Sequence, residues 1–501
     1  MSEKKEAVMD LQTVKESSQL SLQSTKEDGH SKGPIFDEKR TKNLVRKMDR
    51  NIVPFLSLLY LLSFLDRTNI GNARLVNLED SLGMTGLDYN VALAIFFPFY
   101  VAAEVPSNVM LKRTSASFWF SFIMVFWAIS TTLMGLVKTY PQLLAVRAVL
   151  GLWEGGLFPG INFYITTWYR RHECGLRMAI FFSAATAAGA FGGLIARGVS
   201  EMKGIGGLQG WSWIFILEGI VTFIVAIWAY FQVHDKPETA KFLTEEERSE
   251  VRRRLVEDRH NLADEWDMKY VWQALKDWKI WVHMLITFGM FICLYSISLF
   301  LPTIIKNMGY KNNDAQLMTV PPYVVGCIFT ISGGFLADRY KQRGVFMIGY
   351  CIMAMTGFSM LLATESVGVQ YAGTFLATSG IYANIPGGVA WNGNNIGGST
   401  KRAIGLGLHA SAGNLGGIVS SFLFLSSQSP RYLQGFGTLL AVSGMSCILS
   451  IIMTIYLRRE NTRRDREGAE KGLPTPENYT EEMREAEREK GDDASFFRYV
   501  I

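Results

Sequence analysis

The chain has 501 residues, of which 49% are hydrophobic, 47 are glycine and only 19% are charged, against roughly 25% charged in an average soluble protein. Residues 1–50, 234–279 and 458–501 hold 64 of the 95 Asp, Glu, Lys and Arg side chains, which leaves 31 for the other 361 residues. So few charges cannot cover a water-exposed surface of that size, so soluble, secreted and nucleic-acid-binding classes are excluded and a multi-span membrane protein is predicted.

In chain order, residues 1–48 are rich in Ser, Lys and Glu and read as a disordered tail. A bilayer core takes about 20 mostly apolar residues per helix. That window places six spans in a first bundle over 49–233, near 51–73, 87–110, 117–137, 141–168, 177–199 and 211–233. A polar insert over 234–279 follows, in which Thr244 and Glu247 have the spacing of a capping box ahead of a short amphipathic helix. Six further spans form a second bundle over 280–457, near 280–302, 317–337, 344–364, 369–391, 403–425 and 434–457, and a polar tail, most of which reads as disordered, occupies 458–501. The fold class predicted is all-α, with twelve transmembrane helices in two bundles of six. An even count puts both tails on one side, and fifteen Lys and Arg flank the spans there against seven opposite. That excess predicts cytoplasmic termini. The five cysteines lie far apart with no zinc-like spacing to His, so neither a disulfide framework nor a bound metal or other cofactor is expected.

A charge at the centre of a membrane helix costs about 2.5–3.5 kcal/mol, so each one is a functional candidate. They are Asp66 and Arg67 in the first span, Glu104 in the second, Arg147 and Glu154 in the fourth and Glu218 in the sixth. At 1.5 Å per residue Arg67 lies about 24 Å from the inner start of its span and Arg147 about 9 Å from the outer start of its own, which brings the two to similar depth. The second bundle offers neutral groups instead, among them Asn384, Asn392, Asn395, His409 and Asn414, with Tyr100 and Tyr295 as candidates for an aromatic pocket. Arginine stays charged whereas a carboxylate can take a proton, so Arg67 and Arg147 are expected to hold an anion and Asp66 and Glu154 to carry protons. Two pairings fit the spacing, Asp66 with Arg147 and Glu154 with Arg67. Glu104 and Glu218 read as structural or gating residues, and His409 as a satisfied core histidine.

The run Gly334-Phe-Leu-Ala-Asp338-Arg339-Tyr-Lys-Gln-Arg343 resembles the loop signature of the major facilitator superfamily, and Arg147-x-x-x-Gly151-x-x-Glu154 resembles its fourth-span motif. Within it, Phe64-Leu-Asp66-Arg67-Thr-Asn69-Ile-Gly71-Asn72, Glu104-Val-Pro106-Ser-Asn108, Trp211-Ser-Trp213-Ile-Phe-Ile-Leu-Glu218-Gly219 and the terminal Phe497-Arg498-Tyr499 are similar to the fungal anion:cation symporters, which include allantoate and nicotinate permeases. The resemblance implies substrate and proton handling at Arg67, Arg147 and Glu154, with an acid ahead of the first arginine as Asp66 is here. It further implies substrate contact at Tyr100 and Asn414 and gating by Asp338, Arg339 and Arg343. The loop Leu111-Lys112-Arg113-Thr114 departs from the pattern by lacking the Asp-Arg signature.

The function expected is proton-coupled uptake of a small organic anion across the plasma membrane by alternating access, by a monomer whose only coupling partner is the proton. The alternatives are a proton-driven exporter of a drug or secondary metabolite and a non-transporting nutrient sensor. No enzyme is expected, since no nucleophile stands at motif spacing from a base.

Overall fold

The computed structural model describes residues 36–170, 173–199, 202–259, 267–475 and 478–501; the disorder expected for 1–35 lies outside them. Among the described residues the chain is helical throughout. Twelve long helices follow one another: α1 (Glu38–Leu75), α2 (Asp88–Arg113), α3 (Ala116–Met134), α4 (Tyr140–Trp168), α5 (Cys174–Val199), α6 (Gly210–Gln232), α7 (Trp278–Asn307), α8 (Asp314–Tyr340), α9 (Gly344–Ala363), α10 (Val367–Asn394), α11 (Ser399–Ser421) and α12 (Leu433–Glu470). Ten are long and apolar enough to cross a membrane. The other two, α10 and α11, are 28 and 23 residues long but interrupted by Gly, Ser and Asn.

Within the first six helices α3 packs on α6, α1 on α5 and α2 on α4; within the last six α9 packs on α10 and α12, and α7 on α11. The two sets meet where α5 lies on α8, α1 on α7 and α2 on α11. Gly189 of α5 lies against the ring of Tyr323 and Gly417 of α11 against that of Phe97, so helices touch where a side chain would hold them apart.

The insert is divided between the two sets. Thr244 and Glu247 form the expected reciprocal cap, Thr244 N donating to Glu247 Oε2 at 2.9 Å and Glu247 N to Thr244 Oγ1 at 3.3 Å. The helix Glu245–Arg259 that follows buries Val251 and ties to the first set through Lys47–Glu247 at 2.6 Å, Arg170–Glu257 at 2.7 Å and Arg254–Glu173. The helix Met268–Lys276 packs on α11 and α7 instead.

Two tail expectations are corrected. Residues 38–48 are the first turns of α1, capped by Asp37, whose carboxylate accepts from Arg40 N at 2.7 Å. The segment 478–501 is likewise ordered, although it is too polar to bury an apolar core of its own: it docks by charge and hydrogen bonds. Asp492, 0% exposed, sits between Lys279 and Lys401 at 2.5 Å each, and Arg464 of α12 donates to its carbonyl at 2.7 Å. Farther on, Trp391 Nε1 donates to Val500 O at 2.9 Å, Asn395 exchanges hydrogen bonds with Val500 at 2.7 and 2.9 Å, and Arg343 N donates to Ile501 O at 2.5 Å. The strap therefore fastens α7, α10, α11, α12 and the α8–α9 loop together. Gly397 permits it, because a Cβ there would stand 2.2 Å from Asp492 N.

Removing one partner of a buried ion pair costs about 3–5 kcal/mol, so Asp492→Ala is expected to free the strap, seen as rapid proteolysis within 478–501 in detergent while α12 stays intact. A strap as protected as in the wild type would exclude Asp492 as its anchor. Burial pushes the Asp492 carboxyl up, but Lys401 and Lys279 outweigh this and hold it below its ordinary 3.8. A depressed carboxyl stabilises above its unfolded value and loses that contribution as pH falls through the folded one. Strap protection is thus expected to be constant from about pH 8 to pH 5, and lost only under stronger acid.

Candidate functional site

Two close backbone contacts build the centre of the molecule. On α4 a Cβ at Gly151 would stand 2.3 Å from Phe96 O and one at Gly155 2.2 Å from Tyr100 O, so α4 rests on the backbone of α2. On α1 a Cβ at Gly71 would stand 2.4 Å from Leu299 O of α7. One helical turn before Gly71 and Leu299 lie Arg67 and Tyr295, which the same contact brings face to face.

Arg67, 2% exposed, reaches across to Glu154, 0% exposed, with Nε at 3.0 Å and Nη2 at 2.5 Å from Oε1. Ser63 Oγ donates to the same oxygen at 2.6 Å, whereas Glu154 Oε2 has no partner among the described residues. On its other side Arg67 Nη1 donates to Tyr295 OH at 2.9 Å. The guanidinium carbon lies 4.7 Å from the ring centre of Tyr100 and 5.2 Å from that of Phe96, within cation–π range. From Tyr295 the chain of hydrogen bonds continues to Asn414 Oδ1 at 2.6 Å, then from Asn414 Nδ2 to Glu104 Oε1 at 2.6 Å, and Ser411 Oγ donates to Glu104 Oε2. One polar chain thus runs through α4, α1, α7, α11 and α2 and joins both sets of helices.

Of the residues expected at the site, Arg67, Glu154, Tyr100, Tyr295 and Asn414 come together. The Glu154–Arg67 pairing is the one formed; Asp66 with Arg147 is not. Asp66 precedes Arg67 by a 100° turn of the helix and points into the first set of helices, where Oδ2 accepts from Trp127 Nε1 at 2.6 Å. Arg147 donates through Nε to Ala92 O at 2.9 Å, and its Nη1 has no acceptor among the described residues. It still borders the aromatic cage that Phe96, Tyr100 and Tyr295 form around Arg67, its guanidinium carbon 5.4 Å from the Phe96 ring that Arg67 also faces. Asn392 lies elsewhere, its Nδ2 3.2 Å from His409 Nδ1, with Thr287 Oγ1 2.8 Å from His409 Nε2. Among the three gating candidates, Asp338 and Arg343 pair at 2.5 Å beside Gly175 of α5, while Arg339 is exposed.

Glu104, expected to be a structural or gating residue, lies in the polar chain that joins the two sets of helices. The signal was present: Tyr100 and Glu104 are four apart and share a helix face, as do Ser411 and Asn414 three apart.

A family model described as Major Facilitator Superfamily matches residues 56–421. The chain belongs to the major facilitator superfamily. It is 36% identical over 431 residues to an uncharacterised transporter of Schizosaccharomyces pombe, covering 86% of each chain. It is 33% identical to the high-affinity nicotinic acid transporter of Saccharomyces cerevisiae, covering 84% of this chain and 79% of that one. An MFS-type transporter of Penicillium expansum is 34% identical, with 93% and 92% covered. Among solved structures, an inward-facing, unoccupied bacterial homologue of the human lysosomal transporter Spinster superposes with a TM-score of 0.60 at 16% identity, covering 80% of this chain and 95% of that one, and so shares the fold. This superfamily member is a multi-pass membrane transporter of a small substrate and not an enzyme.

A stability contrast follows from the geometry. Arg67→Met leaves a buried carboxylate without its cation and is expected to destabilise by about 3–5 kcal/mol; adding Glu154→Leu is expected to recover most of that. Arg147→Met removes a cation that has no carboxylate partner among the described residues and is expected to leave the unfolding midpoint in detergent unchanged or higher. A double variant no more stable than Arg67→Met would show that the two side chains do not form an energetic pair.

Proposed function

We propose that this transporter couples proton entry to uptake of a small organic monocarboxylate, an aromatic acid such as nicotinate being the type of substrate, at the plasma membrane, as a monomer with both termini cytoplasmic. The observation that carries this reading is Arg67, a buried guanidinium whose anion is internal and whose walls are aromatic. The likeness to a yeast nicotinic acid transporter supports it.

The cage accounts for coupling by charge balance. In the empty site Arg67 is neutralised by Glu154. A substrate carboxylate can meet the guanidinium fork with both of its oxygens, but bringing it in beside an ionised Glu154 would set two carboxylates on one guanidinium, and their mutual repulsion in a low-dielectric core costs several kcal/mol. If Glu154 takes a proton first, on the unpartnered Oε2, the cage keeps the same net charge while its anion changes from protein to substrate. Arg67 then holds the carboxylate, Arg147 adds a second positive charge, and Tyr100, Phe96 and Tyr295 pack on the ring. Release inward reverses the exchange: substrate leaves, Glu154 loses its proton and the internal pair re-forms. Movement of the two sets of helices about the site supplies alternating access, with Tyr295, Asn414 and Glu104 carrying the state of the cage from one set to the other.

In proteoliposomes Glu154→Gln is expected to abolish uphill uptake driven by a pH gradient while substrate exchange survives. Uphill uptake that persists would remove Glu154 from the proton path. For the substrate class, nicotinate is expected to compete at least about tenfold better than nicotinamide, which has the same ring without the anion; each tenfold is about 1.4 kcal/mol. Equal competition would overturn the carboxylate assignment.

A further inference from the structure

A second cluster of buried acids lies beside the cage, and transport by way of Arg67 and Glu154 does not use it. Asp66 of α1 and Glu218 of α6 are 0% and 4% exposed and share the seam between these helices: Thr222, one turn beyond Glu218, lies 3.4 Å from Asp66 Oδ2, and Asn69, one turn beyond Asp66, donates to Glu218 Oε1. Asp66 Oδ2 accepts from Trp127 Nε1 at 2.6 Å and lies 3.4 Å from the hydroxyls of Thr131 and Thr222. Glu218 Oε1 accepts from Asn69 Nδ2. The other two oxygens, Asp66 Oδ1 and Glu218 Oε2, receive no donor among the described residues.

The charged groups around them are few. On α1 the neighbouring Arg67 is turned away to Glu154, and on α4 Glu154 is already paired with it. From α3 the facing groups are Trp127 and Thr131, from α6 Thr222, and from α5 Gly192, which lies against Asn69. Two ionised carboxylates in such a place repel each other without a cation to offset either.

The amide ladder decides which oxygen carries the hydrogen. Asn72 Nδ2 donates to Asn69 Oδ1 at 2.7 Å, which orients the Asn69 amide so that its Nδ2 faces Glu218 Oε1. Glu218 Oε1 is therefore an acceptor, and the hydroxyl falls on Oε2, the oxygen left without a donor. We propose that Glu218 is held permanently protonated and donates from Oε2 to Asp66 Oδ1, so that these two residues form a proton-exchange centre within α1, α3 and α6 in which Asp66 exchanges the proton and Glu218 positions it. A neutral Glu218 supplies Asp66 with the donor its anion lacks, which lets Asp66 give up its proton in the absence of a cation. Asp66, Asn69 and Asn72, three residues apart, form a polar line along one face of α1 towards its C-terminal end.

The inference rests on proton-coupled transport for its role in the cycle, but its chemistry is testable without it. Glutamine copies a protonated glutamate, with an acceptor for Asn69 and a donor for Asp66. Glu218→Gln is therefore expected to keep pH-gradient-driven uptake within about twofold of wild type, Glu218→Leu to lower it at least tenfold and displace its pH profile, and Asp66→Asn to lose the gradient dependence while retaining exchange. Infrared spectra of the purified protein at neutral pH are expected to contain a protonated carboxyl band that Glu218→Gln removes, whatever the protein transports. Uptake abolished in a folded Glu218→Gln protein, or a band unchanged by that substitution, would overturn the proposal. Wild-type uptake indifferent to the pH gradient, with the band behaving as expected, would leave Glu218 protonated and overturn the transport reading and the centre's role in it.

Discussion

A single guanidinium in the middle of the membrane core sets the terms for the rest of the structure. Arg67 cannot shed its proton, so every state of the protein has to provide it with an anion or accept several kcal/mol of uncompensated charge. Glu154 provides the anion, and the glycines of α4 exist in that pattern because only a helix without side chains at positions 151 and 155 lies close enough to α2 to present Glu154 there. The Gly71–Leu299 contact does the same for Tyr295 across the boundary between the two sets of helices. Close packing and charge compensation are in this sense one constraint.

The two acids flanking Arg67 in function have opposite surroundings. Glu154 is paired with a cation and shares one oxygen between three donors, while Asp66, one residue from that cation in sequence, is served only by neutral donors. An acid of the first kind changes its protonation when an anion competes for its partner. An acid of the second kind responds to proton supply alone. Adjacent residues on a helix thus meet different surroundings because a 100° rotation separates them.

Charge outside the membrane does mechanical work of another kind. The helix Glu245–Arg259 holds to the first set of helices and the C-terminal strap to the second, each by ion pairs at its own face. Asp492 is buried between two lysines and an arginine-bound carbonyl, so the strap clamps α7, α10, α11 and α12 at one end. Such a clamp favours movement of that set as a unit, since a helix that shifted alone would break a buried pair.

Much of this was legible in the sequence. Scarcity of charge identified the membrane class, the apolar windows located the helices, the Thr244–Glu247 spacing marked a helix start, and the rarity of buried charge picked out Arg67, Arg147 and Glu154. Those properties are local or additive, so composition and spacing carry them. Partner choice is neither. Whether Glu154 pairs with Arg67, whether Asp66 pairs with Arg147, and whether Glu218 lies beside Asp66 depend on the rotation of each helix and on contacts of a few ångströms between helices far apart in sequence. The ordered tail escaped for the same reason: its polar composition resembles disorder until Lys279, Lys401 and Arg464 are brought to one place to bind it. Composition and spacing establish which groups the membrane core must accommodate; the packed helices settle which of them neutralise one another, because electrostatic and hydrogen-bond energies fall away within a few ångströms that the linear order does not encode.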